Sequence, residues 1–175
     1  MTAGLESKPD AVAVIADEGT CTSILKALGI VDPTIPRMVI TSCMTTSALK
    51  ALGSAMNGVK VFGASAPQAS DPEGQLYQYV MARYAPDANT TGYTVTGYQS
   101  MLGLVRATAG LKGDPAPQSI TAAIKTAKDV PLPAGGGLTF TCDAKAVTGQ
   151  PSDCSSGEVV VTVQNGVGAA PQVVK

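Results

Sequence analysis

Pro9-Asp10-Ala11-Val12-Ala13-Val14-Ile15-Ala16, then Asp17-Glu18-Gly19-Thr20, then Ile24, Leu25 and Leu28 at helical spacing up to Gly29: this run decides the fold class. An apolar stretch too short for a helix, a polar loop and an apolar stripe of period 3.6 read as strand, loop and helix. The same order recurs downstream. Arg37 to Thr41 follows Pro36 as a second strand, Ser42 to Thr46 is a loop, Ala48 to Leu52 is a short helix stopped by Gly53, and Val59 to Gly63 is a third strand. Strands alternating with helices at these distances imply βαβ units with right-handed crossovers, and hence a parallel sheet with helices expected on both faces.

Further along, Asp71-Pro72-Glu73 opens a long helix to about Tyr84, with Leu76, Tyr77 and Val80 at helical spacing, and Ala85 to Asn89 breaks it. Tyr93 to Tyr98 is expected to be extended or turning before a helix from Gln99 to about Ala109. Gly110 to Gln118 reads as a loop, and Ser119 as the cap of a helix reaching about Ala127. The proline- and glycine-rich run Val130 to Gly137 cannot continue that helix. Leu138 to Cys142 and Glu158 to Gln164 are strand-like and flank a polar segment bracketed by Cys142 and Cys154, which predicts a disulfide-tied excursion between two strands.

Composition narrows the function. The 175 residues are 45% hydrophobic but only 4% aromatic, so a core is affordable and must be built mainly from Ala, Val, Leu and Ile. Twelve basic against thirteen acidic residues, a net charge of −1, leave no electrostatic footprint for nucleic acid or an anionic membrane. No stretch approaches the roughly 20 apolar residues that span a bilayer, and Met1 to Lys8 has no apolar run like that of a signal peptide. The chain has no His, which removes the commonest general base and metal ligand and every Ser-His or Cys-His pair. No catalytic residue, metal or cofactor is expected, and the protein reads as a non-enzyme.

The four cysteines, Cys21, Cys43, Cys142 and Cys154, form no CxxC pair, so two structural disulfides are favoured over a zinc or redox motif. That places the chain in an oxidising, extracytoplasmic compartment. Cys21 and Cys43 each fall just after a strand end, on loops that adjacent strands would bring together, so a bridge across the mouth of the sheet is reasonable.

Several short signatures occur in a telling order: Pro9-Asp10 with Ala11 to Val14 before a loop and helix, Ile35-Pro36 before the next strand, Asn57-Gly58-Val59 before the third, Gly97-Tyr98 opening a helix, and Gly137 to Phe140 near the end. In this order the chain resembles the last half of the type I periplasmic binding proteins, specifically the branched-chain amino acid group of ABC importers. The resemblance implies an incomplete two-lobe α/β fold. Residues 1–92 would be part of the second lobe, 93–132 a crossing with helices returning to the first lobe, and 133–175 the carboxy-terminal strands. It also implies a small polar solute, of the amino acid class, held in an interlobe cleft, and a membrane permease as partner. The missing remainder would be supplied by a complementing N-terminal fragment or answered by a homodimer.

In an open parallel sheet, ligands lie beyond the carboxyl ends of the strands, here Asp17 to Thr20 and Thr41 to Thr45. The resemblance makes Asp17, Glu18, Thr20, Thr41, Ser42 and Tyr98 the ligand-binding candidates. Family members gripping an ammonium commonly carry an acid at about the second loop; Thr41 or Ser42 stands there instead, leaving Asp17 or Glu18 to supply the charge. Asp17 reads equally as a helix cap, and Tyr98 as a hinge or core residue. Two other functions stay open at this point: a sensory ligand-binding domain of the same fold, and a small α/β enzyme.

Overall fold

The structure, a computed structural model, describes residues 2–67, 69–169 and 171–174. A short helix α1 (Thr2–Glu6) leads into strand β1 (Val12–Val14), helix α2 (Glu18–Val31) and strand β2 (Arg37–Ile40). A 3-10 turn (Thr41–Cys43), helix α3 (Thr46–Leu52), a second 3-10 turn (Gly53–Met56) and strand β3 (Lys60–Gly63) complete the repeating part. Three helices follow: α4 (Pro72–Tyr84), α5 (Tyr93–Ala107) and α6 (Pro117–Lys125). The chain ends in strands β4 (Val130–Pro131), β5 (Thr139–Phe140), β6 (Glu158–Gln164), β7 (Val167–Gly168) and β8 (Gln172–Val174).

Strands β1, β2 and β3 are parallel neighbours, with Val14 opposite Val39 and Val39 opposite Val61. β6 then adds antiparallel to β3, Val61 facing Val161. Both β7 and β8 pair antiparallel with β6. The β6–β7 hairpin turns on Asn165-Gly166, both at positive φ, which suits the right-handed twist of the flanking strands. β4 and β5 form a separate two-stranded sheet.

Pairing puts Val14, Val39 and Val61 on one face, where they pack with Cys21 and Leu25 of α2 and Leu52 of α3 into the principal core. The opposite face carries the apolar Met38, Phe62 and Val160, of which Phe62 and Val160 pair with each other while Met38 pairs with Lys60. Met38 is 39% exposed. Helices therefore build the core on one face, and among the described residues no buried cluster includes these three residues of the other. A second cluster, Ala66, Ala69, Leu138 and Val159, fastens the loop after β3 to the carboxy-terminal strands. A third, Tyr77, Met81, Val95 and Ala134, joins α4 to α5.

Three local expectations are corrected. Helix α2 runs through Gly29 and ends at Val31, because a single glycine costs only about 1 kcal/mol inside a helix, whereas Asp32-Pro33 forbids continuation. Tyr93 to Tyr98 is helical: Gly92, at φ 66°, turns the chain into α5, and burial of Val95 and packing of Tyr98 hold the first turns. Ser119 lies inside α6 at its third residue, and its Oγ accepts from the Ala116 N–H 3.0 Å away.

Candidate functional site

The carboxyl end of β1 delivers Asp17 to the amino terminus of α2. Its Oδ1 accepts from the Thr20 N–H at 3.0 Å and its Oδ2 from the Thr20 hydroxyl at 2.8 Å, so the side chain caps the helix. These two bonds hold the exposed carboxyl below its ordinary pKa of 3.8. Glu18, the next residue, accepts a hydrogen bond from the Ser47 hydroxyl in α3.

The carboxyl end of β2 passes into the 3-10 turn, where a hydrogen bond and a disulfide lock the second loop onto the first. Ser42, 3% exposed, donates from Oγ to the Ala16 carbonyl at 2.7 Å. Cys21 and Cys43, both fully buried, form a disulfide with Cα atoms 5.5 Å apart. Thr45 caps α3 by accepting from the Ala48 N–H at 3.0 Å. The second disulfide, Cys142–Cys154, closes the polar excursion after β5, where Thr141 N–H also donates to the Cys154 carbonyl at 2.7 Å.

Asp17, Glu18, Thr20, Thr41 and Ser42 are thus brought to neighbouring loops at one end of the sheet. The Ser42 hydroxyl is already committed to holding those loops together. Tyr98 sits elsewhere: its ring meets Tyr77 edge-on at 4.9 Å between centroids, and its hydroxyl is buried with no partner among the described residues. Burial, and then the negative charge of Glu73, raise its pKa, with Arg106 opposing. Glu73 and Arg106 form an ion pair at 2.9 Å, and Arg106 also donates to the Pro131 carbonyl.

Beside the two loops lies a cavity of about 210 Å³, bordered by Thr41, Val61, Ser65, Ala66, Thr91 and Val95 among others. Among the described residues, no Asp, Glu, Lys or Arg lines it. Sequence reasoning reached Thr41 but missed Ser65 and Thr91. The signal was available, since Ser65 follows the carboxyl end of β3 just as Thr41 follows that of β2. Among the described residues, no group of three or more His, Cys, Asp or Glu is placed to hold a metal ion, and no helix is long and apolar enough to cross a membrane.

Comparison with known proteins places this arrangement. A family model described as periplasmic binding protein matches residues 1–156. No curated protein matches the chain significantly. Among solved structures, a leucine binding protein from Thermotoga maritima is 15% identical with a TM-score of 0.73, covering 99% of this chain and 47% of its own. A branched-chain amino acid transporter substrate binding protein from Streptococcus pneumoniae, in complex with isoleucine, is 16% identical with a TM-score of 0.68, covering 99% and 48%. An ABC transporter solute binding protein from R. palustris, in complex with benzoate, is 19% identical with a TM-score of 0.68, covering 98% and 46%. The chain spans about half the length of these structures.

Proposed function

The chain belongs to the periplasmic binding protein family, and from that premise we propose that it is the extracytoplasmic solute-binding component of an ABC importer, taking an amino acid or similar small polar solute. Its family consists of solute-binding proteins, and the chain is a binding protein and not an enzyme. The observation that carries the proposal is the pair of strand ends joined by Cys21–Cys43 and by Ser42 on the Ala16 carbonyl. They present Asp17, Glu18, Thr20 and Thr41 as one preformed wall. The Asp17 carboxylate supplies the negative charge that an ammonium group needs, at a position one loop earlier than the family's usual acid.

Residues 1–92 are proposed as part of the second lobe, 93–132 as the crossing with helices of the first lobe, and 133–175 as the returning strands. Tyr98 would then stand near the crossing, its ring packed on Tyr77. The partner in the membrane is a permease. The remaining half of the fold is proposed to cover the sheet face on which Met38 is exposed, since the matched structures are about twice as long. Two disulfides support an oxidising compartment.

The test is thermal unfolding of the native polypeptide carrying this chain across a panel of amino acids, small carboxylic acids and sugars. A rise in Tm confined to one solute class, lost in Asp17→Ala, supports the proposal. An unchanged Tm across the panel, with no uptake defect when the polypeptide is absent, overturns it.

A further inference from the structure

We propose that Asn165, at the tip of the β6–β7 hairpin, is a site of spontaneous covalent modification: it closes on Gly166 to a succinimide and ages to aspartate and isoaspartate, while the same dipeptide at Asn57-Gly58 is shielded by the fold. The chemistry stands apart from solute capture and requires neither enzyme nor cofactor.

Only water takes part. The Gly166 nitrogen gives its proton to solvent base, and its electron pair attacks Asn165 Cγ. As the N–Cγ bond forms, the Cγ–Nδ2 bond breaks, and Nδ2 takes a proton from water and leaves as ammonia. Water then opens the ring. Cleavage of the new N–Cγ bond leaves an aspartate in the ordinary backbone, whereas cleavage of the original peptide bond leaves an isoaspartate, whose main chain runs through Cγ and is longer by a single atom. A following glycine favours ring closure because no Cβ obstructs the approach of its nitrogen.

Asn57-Gly58 and Asn165-Gly166 are the two Asn-Gly pairs of the chain, and both asparagines are exposed, so access to solvent does not separate them. Hydrogen bonding does. The Gly58 N–H donates to the carbonyl of the buried Val163 at 2.9 Å, and the Asn57 carboxamide accepts from the Asn165 N–H at 2.8 Å. Both reacting groups are held, and the Gly58 nitrogen is kept from solvent base until the junction of β3 with β6 opens. At the hairpin tip, neither the Gly166 N–H nor the Asn165 side chain makes a hydrogen bond among the described residues. The turn itself leaves them free: Gln164 pairs with Val167, and the two residues between stand outside the ladder.

The product reaches the functional end of the sheet. A main chain lengthened within the turn no longer sets Gln164 opposite Val167, so β7 loses its register on β6. Gly168 and Ala169, which end and follow β7, border the cavity beside the strand ends, and the modification loosens that wall.

The experiment holds the native polypeptide carrying this chain in mildly alkaline buffer, its fold checked by circular dichroism, beside a second sample in urea. Each asparagine is followed by peptide mass spectrometry with enzymatic methylation of isoaspartate. In folded protein Asn165 should convert at least about tenfold faster than Asn57, because the hairpin tip reacts without opening the sheet. In urea, where no fixed bonds remain, the two rates should agree within about threefold. The isoaspartate form, separated by ion exchange, should show the Ala169 amide, which donates to the Thr162 carbonyl at 2.8 Å, exchanging its hydrogen at least about tenfold faster than in unaged protein. Asn165→Asp, with charge but an ordinary backbone, should leave that exchange within about twofold of the unaged protein. Asn57 converting as fast as Asn165 in folded protein, neither converting there, or Ala169 exchange unmoved in the isoaspartate form would overturn the proposal. None of these outcomes bears on the thermal screen for solute, which tests the importer function separately.

Discussion

Asp17 shows how one side chain serves two readings at once. As an N-cap its carboxylate is held below its ordinary pKa by Thr20. A lowered folded pKa means that the ionised form stabilises the fold above the unfolded value, and that this stabilisation is lost as pH falls through the folded value. Acid unfolding followed by circular dichroism should therefore show Asp17→Asn, which keeps an acceptor for the Thr20 amide, losing less stability than the native chain below about pH 4. An identical acid profile would mean the charge adds nothing to the cap. Tyr98 makes the opposite case. Tyr98→Phe keeps the ring against Tyr77 and deletes a buried hydroxyl without a partner, so urea unfolding should show stability unchanged or raised by up to about 1 kcal/mol. A clear loss would reveal a partner for that hydroxyl.

At the scale of elements, the disulfide and the caps set how firmly the loop wall is held. Replacing both Cys21 and Cys43 by Ala should cost about 3 kcal/mol in urea unfolding, because the bridge closes a loop of 22 residues in the unfolded chain. Native chain kept in reductant should lose a similar amount, and a negligible loss in both would exclude the bridge as a stabiliser. Thr45→Ala should cost about 1 kcal/mol by removing the cap of α3. Elements were legible in the sequence where a local rule and the fold agree. Asp71 before Pro72 starts α4 as written, and Gly53, at φ 52°, stops α3. Tyr93 to Tyr98 misled because Thr94, Val95, Thr96 and Gly97 are weak helix formers, and only the packing of Val95 and Tyr98 makes them helical. The Asn165-Gly166 hairpin was readable and was passed over. The cavity was not readable, since it is assembled from segments after β2 and β3, before α5 and within β6 that are distant in sequence.

For the whole molecule, the decisive asymmetry is a sheet with one face built into the core and the other leaving Met38 exposed and Phe62 and Val160 half-buried. Apolar surface left open on a sheet favours association. Sedimentation of the isolated chain should show concentration-dependent self-association, reduced in Met38→Lys, while addition of the polypeptide bearing the other half of the fold should replace it with a defined heterodimer. A monomer at all concentrations would mean that face needs no cover.

The pairing of β3 with β6 joins Val61 to Val161, about a hundred residues apart in the chain. While the ribosome is still making the middle of the protein, β3 has no partner on that side, and contacts of such long range close slowly. Closure of that side of the sheet therefore waits on the synthesis of β6, however early the three parallel strands emerge.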